Sequence, residues 1–264
     1  MSTRFPLVAS LLLAALAAAV PASAQFPRVA PPVRDYRVEF AYNTWKPQPE
    51  LTLRAGAGDD VDLVGAFGLE KPNVRQFSLT VKPGMHHKLR FQYVPMTFDK
   101  DATLNQTFTW AGSTYSVNVP ATLNLDWVLS RAGYEWDPIS TPSGYLGLIA
   151  EVKYNQIRAN VTAEGVGRTS LRTNAPIPAV GVAGGGYLLP RTLSVHFEVT
   201  GFQLPDRVDL EGRFIDYDVR ITGHLGRALG VQAGYRSIDA RYLVDTDRGT
   251  LKMKGPYIGA ALRF

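Results

Sequence analysis

From His86 to Phe264, apolar and polar residues alternate in long runs, and a period of two restricts that stretch to β-strands with unlike faces. In the first run Leu89, Phe91 and Tyr93 share one face, and Lys88, Arg90 and Gln92 the other. The next sets Leu123, Leu125, Trp127 and Leu129 against Asn124, Asp126 and Ser130, with Gly133 read as a bulge. A third sets Leu146, Leu148, Ala150, Val152 and Tyr154 against Tyr145, Gly147, Glu151, Lys153 and Asn155. The pattern recurs near 178–188, then with Ser194, His196 and Glu198 on one polar face and Asp216, Asp218 and Arg220 on another. It closes with Arg236 opposite Tyr235, and with Ile258, Ala260, Leu262 and Phe264 opposite Tyr257, Gly259, Ala261 and Arg263. That makes eight strands.

A soluble barrel or sandwich would turn the apolar face inward, and a membrane barrel would turn it outward. Three features favour the second. The runs extend over 10 to 14 residues, beyond the usual strand of about 5–6 but enough for the 9–11 that cross a bilayer at a tilt. Aromatic residues stand near the segment ends (Tyr93, Trp127, Tyr134, Trp136, Tyr154, Tyr187, Tyr235, Tyr257), where an interfacial girdle would place them. The polar face mixes charge signs with glycine, as a crowded, self-neutralising interior requires. On this reading Lys88, Arg90, Asp126, Glu151, Lys153, His196, Glu198, Asp216, Asp218, Arg220 and Arg236 form a polar network in the lumen. In an eight-stranded barrel side chains fill the interior, so a plug is expected over a conducting channel.

The expected fold is therefore all-β, an antiparallel up-and-down transmembrane barrel over residues 85–264, preceded by an irregular extension over 25–84. Ten strands result if Tyr36–Tyr42 and Arg75–Val81 join the wall. Residues 1–24 read as a secretory signal peptide: Arg4, an apolar run from Leu7 to Val20, and Ala22 and Ala24 before Gln25. With no cysteine, a disulfide framework, a thiolate nucleophile and a lipoprotein anchor are excluded. The net charge of +5 comes without a basic block, so nucleic acid is not an expected partner.

The chain ends Gly255-Pro256-Tyr257-Ile258-Gly259-Ala260-Ala261-Leu262-Arg263-Phe264. This resembles the terminal signature of bacterial outer-membrane β-barrel proteins. The resemblance implies that Phe264 is the assembly signal read by the barrel assembly machinery, and that outer-membrane lipids surround a monomer. Val180 to Gly186, followed by Tyr187 and a short Leu-Pro-Arg turn, is similar to the small eight-stranded barrels related to the outer-membrane protein A transmembrane domain. No catalytic set of that family maps onto the chain. Short connections at 189–191 and 224–227 would face the periplasm, and longer ones at 99–118, 156–176, 204–211 and 243–250 the exterior.

One constellation suggests chemistry. Ser194, His196 and Glu198 share a face and hold the parts of a hydrolytic triad. Successive same-face residues lie about 6.5–7 Å apart along a strand, too far for a Ser–His hydrogen bond. A structural polar ladder is the favoured expectation. His86 and His87 are adjacent and point to opposite faces, so no metal site is expected, nor any cofactor. The expected function is a non-enzymatic integral outer-membrane barrel with a structural, surface-interaction or minor permeability role. The alternatives are a lipid A or phospholipid acyl hydrolase, and a soluble periplasmic barrel binding an apolar ligand.

Overall fold

The computed structural model describes residues 36–54, 58–110, 112–204, 210–244 and 247–264; residues 1–24, read from sequence as a signal peptide, lie outside them. Fourteen strands and one short helix are present among the described residues: β1 (Val38–Trp45), β2 (Gln48–Arg54), β3 (Val61–Asp62), α1 (Leu63–Phe67), β4 (Val74–Gly84), β5 (His87–Thr103), β6 (Phe108–Trp110), β7 (Ser113–Tyr115), β8 (Pro120–Ser140), β9 (Gly144–Ala163), β10 (Gly167–Leu189), β11 (Leu193–Gln203), β12 (Leu210–Leu225), β13 (Leu229–Val244) and β14 (Asp247–Arg263). Ten of them, in the order β1-β4-β5-β8-β9-β10-β11-β12-β13-β14, form an antiparallel wall that closes by pairing β1 with β14. Closure removes the sheet edges of the proximal half; in the distal half β5 from Val94 to Thr103 pairs with β8 alone, and β3 pairs with β2 alone.

The wall has ten strands where eight were the first expectation. The two additions are β1 and β4, the Tyr36–Tyr42 and Arg75–Val81 segments that sequence left as optional. β2 continues the line of β1 along β14, from Gln48↔Lys254 to Arg54↔Arg248, past a bend at Lys46–Pro47. The segment after β2 enters α1, whose N-terminus is capped by Asp62, its Oδ1 accepting from Val64 N at 3.0 Å. Gly68, at φ 60°, ends the helix in the left-handed region, where glycine carries no Cβ penalty.

One end, called proximal here, holds Tyr36, the C-terminus and the short turns at 84–87, 140–144, 189–193 and 225–229. The other end is distal. The two halves have opposite polarity. In the proximal half the outward face is apolar: Phe91, Leu148, Val152, Val199, Ile221 and Leu262 are each more than 40% exposed. In the distal half the outward residues turn polar and the inward ones apolar. On β9 the outward face runs Leu146, Leu148, Ala150, Val152, Tyr154, then Gln156, Arg158, Asn160, Thr162. The inward face of the same strand runs Glu151, Lys153, Asn155, then Ile157, Ala159, Val161. β8 switches at the paired level, since Leu129 stands opposite Asn155. The hydrophobic core fills the distal half, where Leu123, Leu125, Trp127, Met96 and Phe98 pack with Leu63 and Phe67 of α1.

This switch corrects several expectations. Leu123, Leu125, Trp127 and Leu129 are buried inside the barrel, and Asp126 is exposed outside it, hydrogen-bonded to Thr97. The physical reason is that these residues lie above the apolar belt, where water is outside and the core is inside. Tyr93, Tyr134, Trp136, Tyr154 and Tyr235 point outward as a girdle would, whereas Trp127 and Tyr257 are buried. The stretches 99–118 and 156–176 are largely strand, because β5 continues to Thr103 and β9 and β10 run up to a tight turn at 163–167. Gly133 pairs regularly with Glu151, and the irregularity of β8 falls between Trp136 and Ile139.

Candidate functional site

The proximal lumen is lined by charge. Of the residues named from sequence, Lys88, Arg90, Glu151, Lys153, His196, Glu198, Asp216, Asp218, Arg220 and Arg236 all face it, and Asp126 does not. Alternation places them there: each sits on the inward face of its strand, opposite the exposed apolar residues. Neighbouring glycines leave the room they need. A Cβ at Gly147 would meet the Asp137 and Glu135 side chains, and one at Gly234 would meet the Tyr257 ring.

Seven of these side chains, with Arg131, Glu135 and Asp137, form one continuous line of alternating sign. Lys88 Nζ lies 2.9 Å from Asp137 and 2.5 Å from Glu135. Arg90 reaches Glu135 at 2.8 Å and also pairs with Glu198, which pairs in turn with Arg131. Arg131 stands 3.7 Å from Glu151, and Lys153 bridges Glu151 at 3.1 Å and Asp216 at 2.6 Å. Arg236 holds Asp216 with two hydrogen bonds, Nε to Oδ1 at 3.0 Å and Nη2 to Oδ2 at 2.8 Å. The five carboxylates and five cations cancel. Arg90 on β5 and Glu198 on β11 belong to strands four apart in the wall, so their contact crosses the lumen. Beside this line, Asp218 accepts from Tyr257 at 3.0 Å and stands 3.5 Å from Arg220.

The space left is small. A cavity of about 30 Å³ lies among Glu39, Arg90, Arg131, Glu198, Asp218 and Arg236, room for about one or two waters. Sequence reading missed Arg131, Glu135 and Asp137, although they follow Leu129 on the same odd-numbered face of β8. It also missed Glu39, which pairs with Arg263 at 2.6 Å.

The suspected triad does not assemble. Ser194 Oγ lies 2.8 Å from Nε2 of His224, on β12, instead of meeting His196. The other ring nitrogen of His224, Nδ1, lies 3.2 Å from Arg263 Nη1. A guanidinium only donates, so Nδ1 must accept and Nε2 must carry the ring hydrogen of the neutral imidazole. Nε2 then donates to Ser194 and has no lone pair to take the serine proton. In a working triad the orienting group is a carboxylate that accepts from Nδ1–H; here a cation occupies that place. His196 Nδ1 meets the Tyr145 hydroxyl, and its Nε2 faces Glu198 at 3.7 Å.

No family model matches this chain, and no curated protein matches it. Among solved structures, the outer membrane protease OmpT from Escherichia coli aligns with a TM-score of 0.57 at 7% identity, covering 88% of this chain and 97% of OmpT. The translocator domain of the autotransporter NalP from Neisseria meningitidis aligns at 0.42 and 11%, over 86% and 88%. The transport unit of the autotransporter AIDA-I from Escherichia coli aligns at 0.41 and 12%, over 96% and 95%. At such identities the likeness concerns fold alone. Together with the closed ten-stranded antiparallel wall, the likeness to OmpT gives this chain the fold of an outer-membrane β-barrel.

Proposed function

We propose that the chain is an exported, non-enzymatic outer-membrane barrel that does not conduct, and that its role is structural or surface-directed through the distal half. The leader at 1–24 would direct export, Phe264 would serve assembly, and the distal half would stand outside the cell with its polar face in water. The observation that carries this reading is occlusion at two successive levels, the self-neutralised ion line below and the apolar core above. Water and ions would have to break buried pairs, each costing about 3–5 kcal/mol when one member is lost, and then cross a dry interior. The tautomer imposed on His224 by Arg263 weighs against the acyl hydrolase reading.

The test is conductance of the purified protein in planar bilayers. The expected result is no unitary channel activity, and steady ion-selective openings would overturn the reading. For the hydrolase alternative, lipids from cells expressing the wild type and the Ser194→Ala variant should be indistinguishable; a deacylated species seen only with the wild type would promote the enzyme.

A further inference from the structure

Above the apolar belt the outer face of four adjacent strands is sorted by charge. β5 and β8 present Asp99, Asp101 and Asp126, and each carboxylate accepts from a neutral side chain on the neighbouring strand. Asn124 donates to Asp99 at 2.9 Å, Thr122 to Asp101 at 2.6 Å and Thr97 to Asp126 at 3.0 Å. β9 and β10 come next in the wall and present Arg158, Arg172 and Arg168, with no carboxylate among their outward residues at this height. Arg158 and Arg172 stand directly opposite each other, a like-charge pair that destabilises an isolated sheet. Asp126 stands opposite Arg158 on the other side, yet its Oδ1 is taken by Thr97, and no ion pair joins Asp126 to Arg158 among the described residues.

Below this, in the belt, a trough of about 500 Å³ crosses β5, β8 and β9 and extends over β4 and β1 to Phe77, Leu79 and Phe40. The small residues Ser130 and Ala132 of β8 form its floor, Phe91 and Tyr93 of β5 one bank, and Val152 and Tyr154 of β9 the other.

We propose that this face is a contact surface for a second copy of the chain. Two barrels inserted in the same sense in one membrane can be related by a two-fold only about an axis along the membrane normal. Such a contact is isologous: whatever one copy offers, the other offers in return. With the axis at the boundary of β8 and β9, the rotation lays the acidic strip of each copy on the basic strip of the other. Asp126 of one then faces Arg158 of the second copy, and the converse, while the Val152–Tyr154 bank of each lies against the trough of the other. An external polyanion would answer only the arginines, and a lipid chain only the trough; a second copy answers both.

Because the chain has no cysteine, single-cysteine cross-linking in outer membranes is free of background from its own thiols. Asn160→Cys, beside Arg158, should cross-link to itself with a short bis-maleimide, and Thr250→Cys on β14, across the barrel, should not. Adding Arg158→Asp, or Asp126→Arg, should lower the cross-linked yield about tenfold, because a two-fold contact loses both copies of the pair at once. The double charge swap Asp126→Arg with Arg158→Asp should restore it. Mobility on unboiled gels reports folding for every variant, and the swap keeps the test decisive if one single variant fails to fold. Equal cross-linking at Asn160→Cys and Thr250→Cys overturns the proposal. So does cross-linking indifferent to charge reversal, or a monomer that retains a lipid in the trough.

Discussion

Leu148 and Gln156 lie on the outward face of one strand, eight residues apart, and the structure assigns them different solvents. Leu148→Arg would put a cation against lipid at about 2–4 kcal/mol if mid-belt, whereas Gln156→Arg sits where the cost is about 0–1 kcal/mol. Thermal unfolding followed on unboiled gels should therefore show a large loss for the first and almost none for the second; equal losses would mean the belt has been misplaced. Inside the lumen, Glu198 is 3% exposed and faces both Arg90 and Arg131. Glu198→Ala strands two buried cations and should cost about 3–5 kcal/mol. Ser194→Ala removes one hydroxyl bond to His224 and should cost about 1 kcal/mol, so the two unfolding temperatures should separate clearly. At this scale the lumen was legible in sequence on β5, β9, β11, β12 and β13 below the switch, because there polar means inward, whereas Arg131, Glu135 and Asp137 of β8 and Glu39 of β1 went unread. Asp126 was misread for the same reason: it lies on the part of β8 where polar means outward.

The strands themselves were legible because period two survives any change of solvent. Which face points inward does not follow from period two, since that depends on what surrounds the strand at each height. The signal that resolves it is present but subtle: one face of β8 runs Leu123, Leu125, Trp127, Leu129, and then Arg131, Glu135 and Asp137 without a break in the alternation. β1 was harder to assign, being only eight residues long and bounded by Pro47. Its importance comes from position, because it closes the ring through seven residue pairs with β14. Arg37 N and Val38 N both donate to the Phe264 carbonyl, at 2.7 and 3.1 Å, and Phe264 N donates to Val38 at 2.9 Å. Deleting Phe264 should thus lower the yield of heat-modifiable barrel even if a terminal assembly signal is supplied by other means. An unchanged yield would show that the closing bonds are dispensable.

For the molecule as a whole, tryptophan offers a direct check of the two-solvent arrangement. Trp136 is 45% exposed in the belt, whereas Trp45 and Trp127 are sealed inside. Brominated lipid should quench mostly Trp136, so Trp136→Phe should abolish most of the quenching, and persistent quenching would place another indole in contact with acyl chains. The nine-residue outward runs from Leu146 to Tyr154 and from Pro256 to Phe264 fix the height of the apolar zone. At about 3.4 Å per residue and a tilt near 40°, they rise about 20–23 Å along the normal. Just past its upper rim stand Arg75 and Lys254, on β4 and β14, the two strands that flank β1. A slide of two residues toward the proximal side would drag both into hydrocarbon, and a slide the other way would lift aromatic rings into water. The barrel is thus a depth gauge that cannot bob: where the bilayer is thicker or thinner than its belt, it is the lipid that must stretch or compress to meet the protein.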